Sequence, residues 1–203
     1  MHTGFWWILL AIAVYGVIHS WLASTRSKEL AKKWFGEQIC RAYRFIFVII
    51  ATIGALGLVY LVITLPDARI YLLTMPWILL TITVQVLCFA GALASLRQTG
   101  MFELLGIRRL LHPELEQPPV LVISGMYYWV RHPLYVCGLL FLWLMPAMTW
   151  NILAFNIGVT VYVTIGVFLE EKKLVAEFGE PYTDYQKRVP MLFPGFWLKR
   201  PEK

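Results

Sequence analysis

Five apolar stretches, most of them bounded by charge or proline, decide what this chain can fold into. They are GFWWILLAIAVYGVIHSWLA (4–23), AYRFIFVIIATIGALGLVYLVITL (42–65), MPWILLTITVQVLCFAGALASL (75–96), PLYVCGLLFLWLMPAM (133–148) and NILAFNIGVTVYVTIGVFLEE (151–171). A helix rising about 1.5 Å per residue needs about 20 residues to cross a hydrocarbon core of about 30 Å. The fourth stretch reaches only about 24 Å by that rise. Pro146 and the following T-W-N turn predict that it folds back into the fifth as a helical hairpin.

Composition agrees. Hydrophobic residues make up 59% and charged residues 15% of the 203 positions, where soluble domains carry about 45–50% and about 25%. Nine Trp, ten Tyr and twelve Phe supply the side chains that gather at bilayer interfaces. The formal charge of +6 does not point to nucleic acid, because Lys and Arg bracket the apolar spans and face an anionic leaflet instead. Cys40, Cys88 and Cys137 have neither metal-ligand spacing nor an even count, so a disulfide framework or zinc site is not expected. No G-x-G-x-x-G follows a strand-like segment. The fold class expected is an all-α integral membrane protein with five transmembrane helices, the last two a hairpin, and a cytosolic C-terminal helix. Three regions follow: a three-span region (1–96), an interfacial amphipathic connector (97–118) and a C-terminal half (119–203). Oligomeric state is not written in the sequence.

Charge asymmetry sets the expected topology. Arg26, Lys28, Lys32, Lys33, Arg41 and Arg44 follow the first span, and Arg97, Arg108, Arg109 and Arg131 lie between the third and fourth. Lys172, Lys173, Lys187, Arg188, Lys199, Arg200 and Lys203 follow the fifth, while Arg69 alone separates the second and third. The positive-inside rule then places the N-terminus outside and the C-terminus in the cytoplasm. The basic residues come after the first span rather than before it, so that span does not read as a secretory signal.

Two constellations carry chemistry. In SGMYYWVRHPLYVCG (124–138), Pro133 suits the first turn of a helix and holds His132 outside it. The free N–H groups of that turn and the Arg131 charge suit an anion such as a carboxylate, and His132 can donate, accept or change charge near neutral pH. In FLEEKKLVAEFGEPYTDYQKRVPMLFP (168–194), Glu170 and Glu171 close the fifth span. They point about 100° apart, so one is expected to face the bundle and the other to pair with a lysine. Gly179 reads as a helix C-terminus and Pro181 as the opening of a new helix, ended by Pro190. On that helix Tyr182, Tyr185 and Arg188, three residues apart, are expected to share a face. The hairpin would bring 168–188 beside 124–135. Elsewhere His19 reads as a capping or solvated residue, Gln85 as a bond to a neighbouring helix, and His112 before Pro113 as a turn.

These motifs resemble the isoprenylcysteine carboxyl methyltransferase superfamily, which includes phospholipid methyltransferases. The matching positions are Gly125, Tyr127 or Tyr128, Arg131, His132, Pro133 and Tyr135, then Glu170, Glu171, Leu174, Phe178, Gly179, Tyr182, Tyr185, Arg188, Val189 and Pro190. Cys137 and Gly138 depart from the pattern, which has glycine one place earlier. HSWLAS (19–24), RAYR (41–44), SLRQTG (95–100) and MPAMT (145–149) are similar to the NnrU and methanethiol S-methyltransferase branch. The resemblance implies a cytosol-facing S-adenosyl-L-methionine site without a Rossmann domain, and a lipophilic or small methyl acceptor entering from the lipid. Its cofactor residues would be Gly125, Tyr128, Arg131, His132, Leu134, Tyr135, Glu170, Glu171 and Tyr182, with no choice made between the two glutamates for the cofactor contact. Arg188 and Glu171 would be catalytic, and Tyr185 and Arg188 would meet an acceptor, an isoprenylcysteine-type carboxylate or a thiol being favoured. Membrane lipids are the other expected partner. The alternative is a non-catalytic NnrU-like membrane protein that binds or senses a ligand.

Overall fold

The computed structural model describes residues 3–111 and 120–193. The turn expected at His112 and the cations Lys199, Arg200 and Lys203 lie outside the described residues. The chain forms two compact units, Met1–Tyr71 with Gly100–Pro118 and Met148–Tyr162, and Leu72–Thr99 with Pro119–Ala147 and Val163–Lys203.

In the first unit α1 (Phe5–Leu22) is followed by α2 (Thr25–Phe35) and α3 (Glu37–Thr64). Ser24 starts α2 as a side-chain cap, its hydroxyl accepting from Ser27 N at 3.2 Å. Gly36, at φ 76°, ends it in a conformation that only glycine adopts freely. The core joins Ile8 and Ile12 of α1, Leu58 of α3, and Ala154 from the start of α8 (Trp150–Phe178). Small residues let these helices approach: a Cβ at Gly16 would sit 2.9 Å from the Tyr162 ring, and one at Gly158 2.7 Å from Ile12. Strand β1 (Arg69–Leu72) pairs with β2 (Ala147–Thr149). Beside that pairing two helix ends satisfy each other. The buried Asn151 amide donates to the carbonyls of Leu65 at 3.1 Å, Pro66 at 3.3 Å and Val62 at 3.4 Å, closing α3. Asp67 Oδ1 accepts from Asn151 N at 3.1 Å and from Ala68 N at 2.8 Å, opening α8.

In the second unit α4 (Trp77–Thr99) packs along α7 (Pro133–Trp143). A Cβ at Gly91 would meet Cys137 Sγ at 3.0 Å, and Gln85 donates to the Phe141 carbonyl at 3.0 Å, the interhelical bond expected of it. A 3-10 turn (Gly125–Tyr128) precedes α7, and the end of α8 leads through Gly179 into α9 (Glu180–Arg188).

Among the described residues, four helices are long and apolar enough to cross a membrane: α1, α3, α4 and α8. The fourth apolar stretch is shorter than the five-span reading requires, because α7 stops after eleven residues and rises only about 16 Å. Pro146 cannot donate in a helix and disfavours helix at the residue before it. The chain therefore leaves α7 at Leu144 and bends into the strand β2 before α8 begins, in place of a direct turn into α8. The connector also differs from the single amphipathic helix expected. Gly100 (φ 84°) and Gly106 (φ 74°) break it into α5 (Met101–Leu104) and α6 (Ile107–Leu111). Gly106 lies against Arg44 and Phe45 of α3, where a Cβ would be 2.8 Å from Arg44 Cβ.

The paired caps generate a stability ranking. Asp67→Ala removes one acceptor shared by the exposed Ala68 N and the part-buried Asn151 N and costs about 1 kcal/mol. Asn151→Leu leaves three carbonyls at the end of α3 without their buried donor, costing about 2–3 kcal/mol. Thermal unfolding followed by circular dichroism in detergent should rank them in that order. The reverse order would contradict the capping roles.

Candidate functional site

Proline sets the local geometry. Pro133 opens α7 and leaves His132 outside the helix at φ −124°, ψ 65°. The backbone just before it is tied to the segment after α9, with Arg131 N donating to Pro190 O at 2.9 Å and His132 N to Met191 O at 3.2 Å. The Arg131 and His132 side chains are thereby turned toward the end of α8.

Glu171 is where they converge. Arg131 donates to it through two parallel bonds, Nε to Oε1 and Nη2 to Oε2, both at 2.9 Å. His132 Nε2 lies 2.6 Å from Oε1, and the Tyr182 hydroxyl donates to the same oxygen at 2.8 Å. Gln186 Nε2 donates to Oε2 at 2.5 Å. Two carboxylate oxygens offer about four lone-pair directions, so Glu171 has no acceptor capacity left over. Arg131 also uses its Nη1, which donates to the carbonyls of Val189 at 2.6 Å and Gln186 at 3.1 Å. The side chains of the pair are 10% and 9% exposed. A buried ion pair is tolerated only when both partners are bonded this completely.

Glu170 has the opposite situation. One residue earlier on the helix, it turns outward and remains 42% exposed. The Tyr135 hydroxyl donates to its Oε2 at 2.8 Å, and His132 Nδ1 is 3.9 Å from the same oxygen. The Tyr135 and His132 rings lie 5.7 Å apart. The expected lysine partner of the outward acid is thus replaced by a tyrosine hydroxyl. With Arg131 compensating Glu171, the Glu170 carboxylate leaves the rim of this cluster negative.

Helix α9 supplies the floor. Tyr182 and Tyr185 are buried at 2% and 4% exposure, and the Tyr185 hydroxyl donates to the Tyr127 carbonyl. Burial first, and then its bond to the Glu171 carboxylate, push the Tyr182 hydroxyl well above the usual tyrosine range. Burial raises Tyr185 likewise, with the Arg131 charge pulling the other way.

The structure therefore brings together Arg131, His132, Tyr135, Glu170, Glu171, Tyr182 and Tyr185. Leu134 is half-buried in the first turn of α7, and Tyr128 is exposed on the 3-10 turn. Gly125, at φ 63°, leaves no room for a Cβ against the Gln98 side chain. Arg188 does not share the tyrosine face. Each three-residue step falls about 60° short of a full turn, so two steps carry Arg188 away from Tyr182. It is exposed, and its Nε donates to Asp184 O at 3.2 Å. Two contributors escaped the sequence reading. Gln186 bonds Glu171, and buried Ser95 bonds the Tyr127 hydroxyl at 2.9 Å; Gln186 falls at an unmarked position, and Ser95 opens the SLRQTG stretch without being singled out in it. In the first unit, His19 Nδ1 bonds the Tyr162 hydroxyl at 2.6 Å, so its imidazole is neither simply solvated nor a helix cap.

Known proteins similar to this chain are methyltransferases. It is 30% identical over 196 residues to a methanethiol S-methyltransferase of Bradyrhizobium diazoefficiens, covering 92% of this chain and 65% of that protein. It is 30% identical over 199 residues to the methanethiol S-methyltransferase of Mycobacterium tuberculosis, covering 92% of this chain and 76% of the relative. A protein-S-isoprenylcysteine O-methyltransferase of Mus musculus is 33% identical over 108 residues, covering 49% of this chain and 36% of that enzyme. For the Bradyrhizobium and Mus proteins, less than two thirds of the relative's length is spanned. No family model matches the chain, and no solved structure matches it.

The cluster's energetics can be tested without any ligand. Glu171→Ala strands the buried Arg131 and should cost about 3–5 kcal/mol, with trypsin cutting sooner at Lys187. Tyr182→Phe should cost about 1–2 kcal/mol at neutral pH. Because its folded-state pKa is raised, the Tyr182 contribution is fully present below the pKa of an unfolded tyrosine, about 10. It is lost only as pH climbs above that value. Melting temperatures of wild type and Tyr182→Phe should therefore converge above pH 10; a constant gap would contradict the assignment.

Proposed function

The chain belongs to the isoprenylcysteine carboxyl methyltransferase-like family, and on that premise we propose that it is an integral membrane methyltransferase that moves a methyl group from S-adenosyl-L-methionine to a small thiol. The observation that carries this reading is the half-exposed Glu170 carboxylate, held by Tyr135 at the edge of an otherwise charge-compensated cluster. The donor set fits the cofactor, which carries an ammonium, a sulfonium and ribose hydroxyls: a carboxylate with spare acceptor capacity attracts the first two and accepts from the third. When bound, S-adenosyl-L-methionine supplies an electrophilic methyl group on sulfur, open to in-line displacement by an acceptor lone pair.

The chain's residues divide the remaining work. Glu170 and Tyr135 bind at the rim. Arg131 and Glu171 hold His132, the α7 start and α9 in fixed register, which is a positioning role, since their polar atoms are already spent on one another. Leu134, Tyr128 and the Gly125 turn line the approach. A thiol acceptor is favoured over an isoprenylcysteine carboxylate because the methanethiol S-methyltransferase relatives match over 92% of the chain, against 49% for the isoprenylcysteine enzyme. Arg188, exposed on the far side of α9, takes no step in this reading.

The cationic flanks support a cytoplasmic cofactor site and C-terminus with the N-terminus outside. That sidedness needs an odd number of crossings, so the proposal includes the stretch around α7, whose eleven helical residues contribute about 16 Å, as the remaining one.

Titration calorimetry of the detergent-purified protein with S-adenosylhomocysteine tests the cofactor site. Glu170→Gln should weaken binding by about 1.5–3 kcal/mol, roughly 10- to 150-fold, with melting temperature unchanged. A radiolabelled methyl group should pass from S-adenosyl-L-methionine to methanethiol in the wild type and not in Glu170→Gln. Binding without transfer to any thiol would favour a non-catalytic ligand-binding protein. Absence of binding would overturn the proposal.

A further inference from the structure

Helix α2 takes no part in the Glu171 cluster, yet its two sides differ sharply. At about 100° per residue, Leu30, Trp34 and Phe35 fall on the same side as Ser27 and Ala31, and Arg26, Lys28, Lys32 and Lys33 fall opposite with Glu29. The first part of the apolar side is seated. Ser27 is 5% exposed, and its hydroxyl lies 2.7 Å from that of Tyr43, which donates to Leu22 O at the end of α1. The far part is bare: Leu30 is 43%, Trp34 77% and Phe35 70% exposed. Lys32 also bridges the exposed Glu37 at 2.6 Å, so four cations stand against two acids, Glu29 and Glu37.

The helix cannot leave the membrane surface. It begins directly after Ser24, just beyond the end of α1, and Gly36 alone separates it from α3, both neighbours being helices long and apolar enough to cross. A polar helix tethered so closely at both ends is held at the level of the lipid headgroups. There, rings enter the acyl boundary while cations meet phosphate, and the charge excess selects anionic over zwitterionic lipid. We propose that α2 is an anionic-phospholipid-binding helix, with Trp34 and Phe35 inserted below the headgroups and Arg26, Lys32 and Lys33 meeting their phosphates.

The test uses the full chain. Trp34→Cys on a Cys40→Ser background, labelled with an environment-sensitive fluorophore, is placed in nanodiscs of phosphatidylcholine or of an equal mixture with phosphatidylglycerol. Emission should shift to the blue and be quenched by brominated acyl chains in the mixed discs, an effect diminished by high salt. Emission that is the same in both lipids overturns the headgroup preference, and emission that depends on protein concentration in detergent assigns the face to a second copy instead. A second measurement leaves Trp34 in place. Native mass spectrometry should find several-fold more phosphatidylglycerol than phosphatidylcholine retained on the wild type, with the ratio falling toward one in Arg26→Gln/Lys32→Gln/Lys33→Gln. An unchanged ratio in a variant with wild-type circular dichroism overturns the proposal.

Discussion

The Arg131–Glu171 pair is the interaction on which the functional unit depends. Charge in an apolar molecule is costly, and the cost is met here by saturating both partners with hydrogen bonds. Glu171 takes donors from Arg131, His132, Tyr182 and Gln186, and Arg131 also donates to two carbonyls near the end of α9. The segment before α7, the end of α8 and the whole of α9 are therefore fastened at one point. None of these could settle alone: α9 has only nine residues, most of them polar, and isolated helices of that length are marginal in water.

Adjacent glutamates divide the labour by geometry alone. One residue of helix turns Glu171 into the unit and Glu170 out of it. The inward acid is exhausted by structure, and the outward one keeps capacity for a ligand. This separation sets a half-exposed carboxylate beside a rigid, compensated centre; under the proposed function such an arrangement suits chemistry that depends on alignment more than on proton transfer. Tyr135 and His132 connect the two, since one bonds Glu170 and the other bonds Glu171.

Much of the site was legible because it is written in local rules. Pro133 announces the α7 start and the non-helical His132; Gly179 and Pro181 announce the break between α8 and α9; the 100° step separates the glutamates. Errors arose where a local rule was extended too far or where a contact is remote in sequence. Three-residue spacing places Tyr182 beside Tyr185 but loses Arg188 on the second step. The short α7 is followed by a strand, β2, that pairs with β1 from far away in the chain, a partner no local rule announces. Helix α2 has no expectation behind it in the sequence, where its charges outnumber its apolar residues, although Ser24 marks its start and Gly36 its end. Gln186 carries no signal outside the folded cluster.

Chain order gives the Arg131–Glu171 pair a further consequence, for biogenesis. Arg131 is synthesised forty residues before its carboxylate partner, and the α9 donors and carbonyls follow later still. During synthesis the arginine has to wait, unpaired, where water can solvate it. When α8 emerges, its two acids arrive where its apolar stretch gives way to the polar residues that finish the helix, and the same solvent holds them until α9 is made. The membrane-embedded helices can thus insert in sequence, while the charged centre closes only after the last of its parts is released. A quality-control protease that samples nascent membrane proteins would meet, in any chain interrupted before Gln186, an arginine whose carbonyl partners do not yet exist.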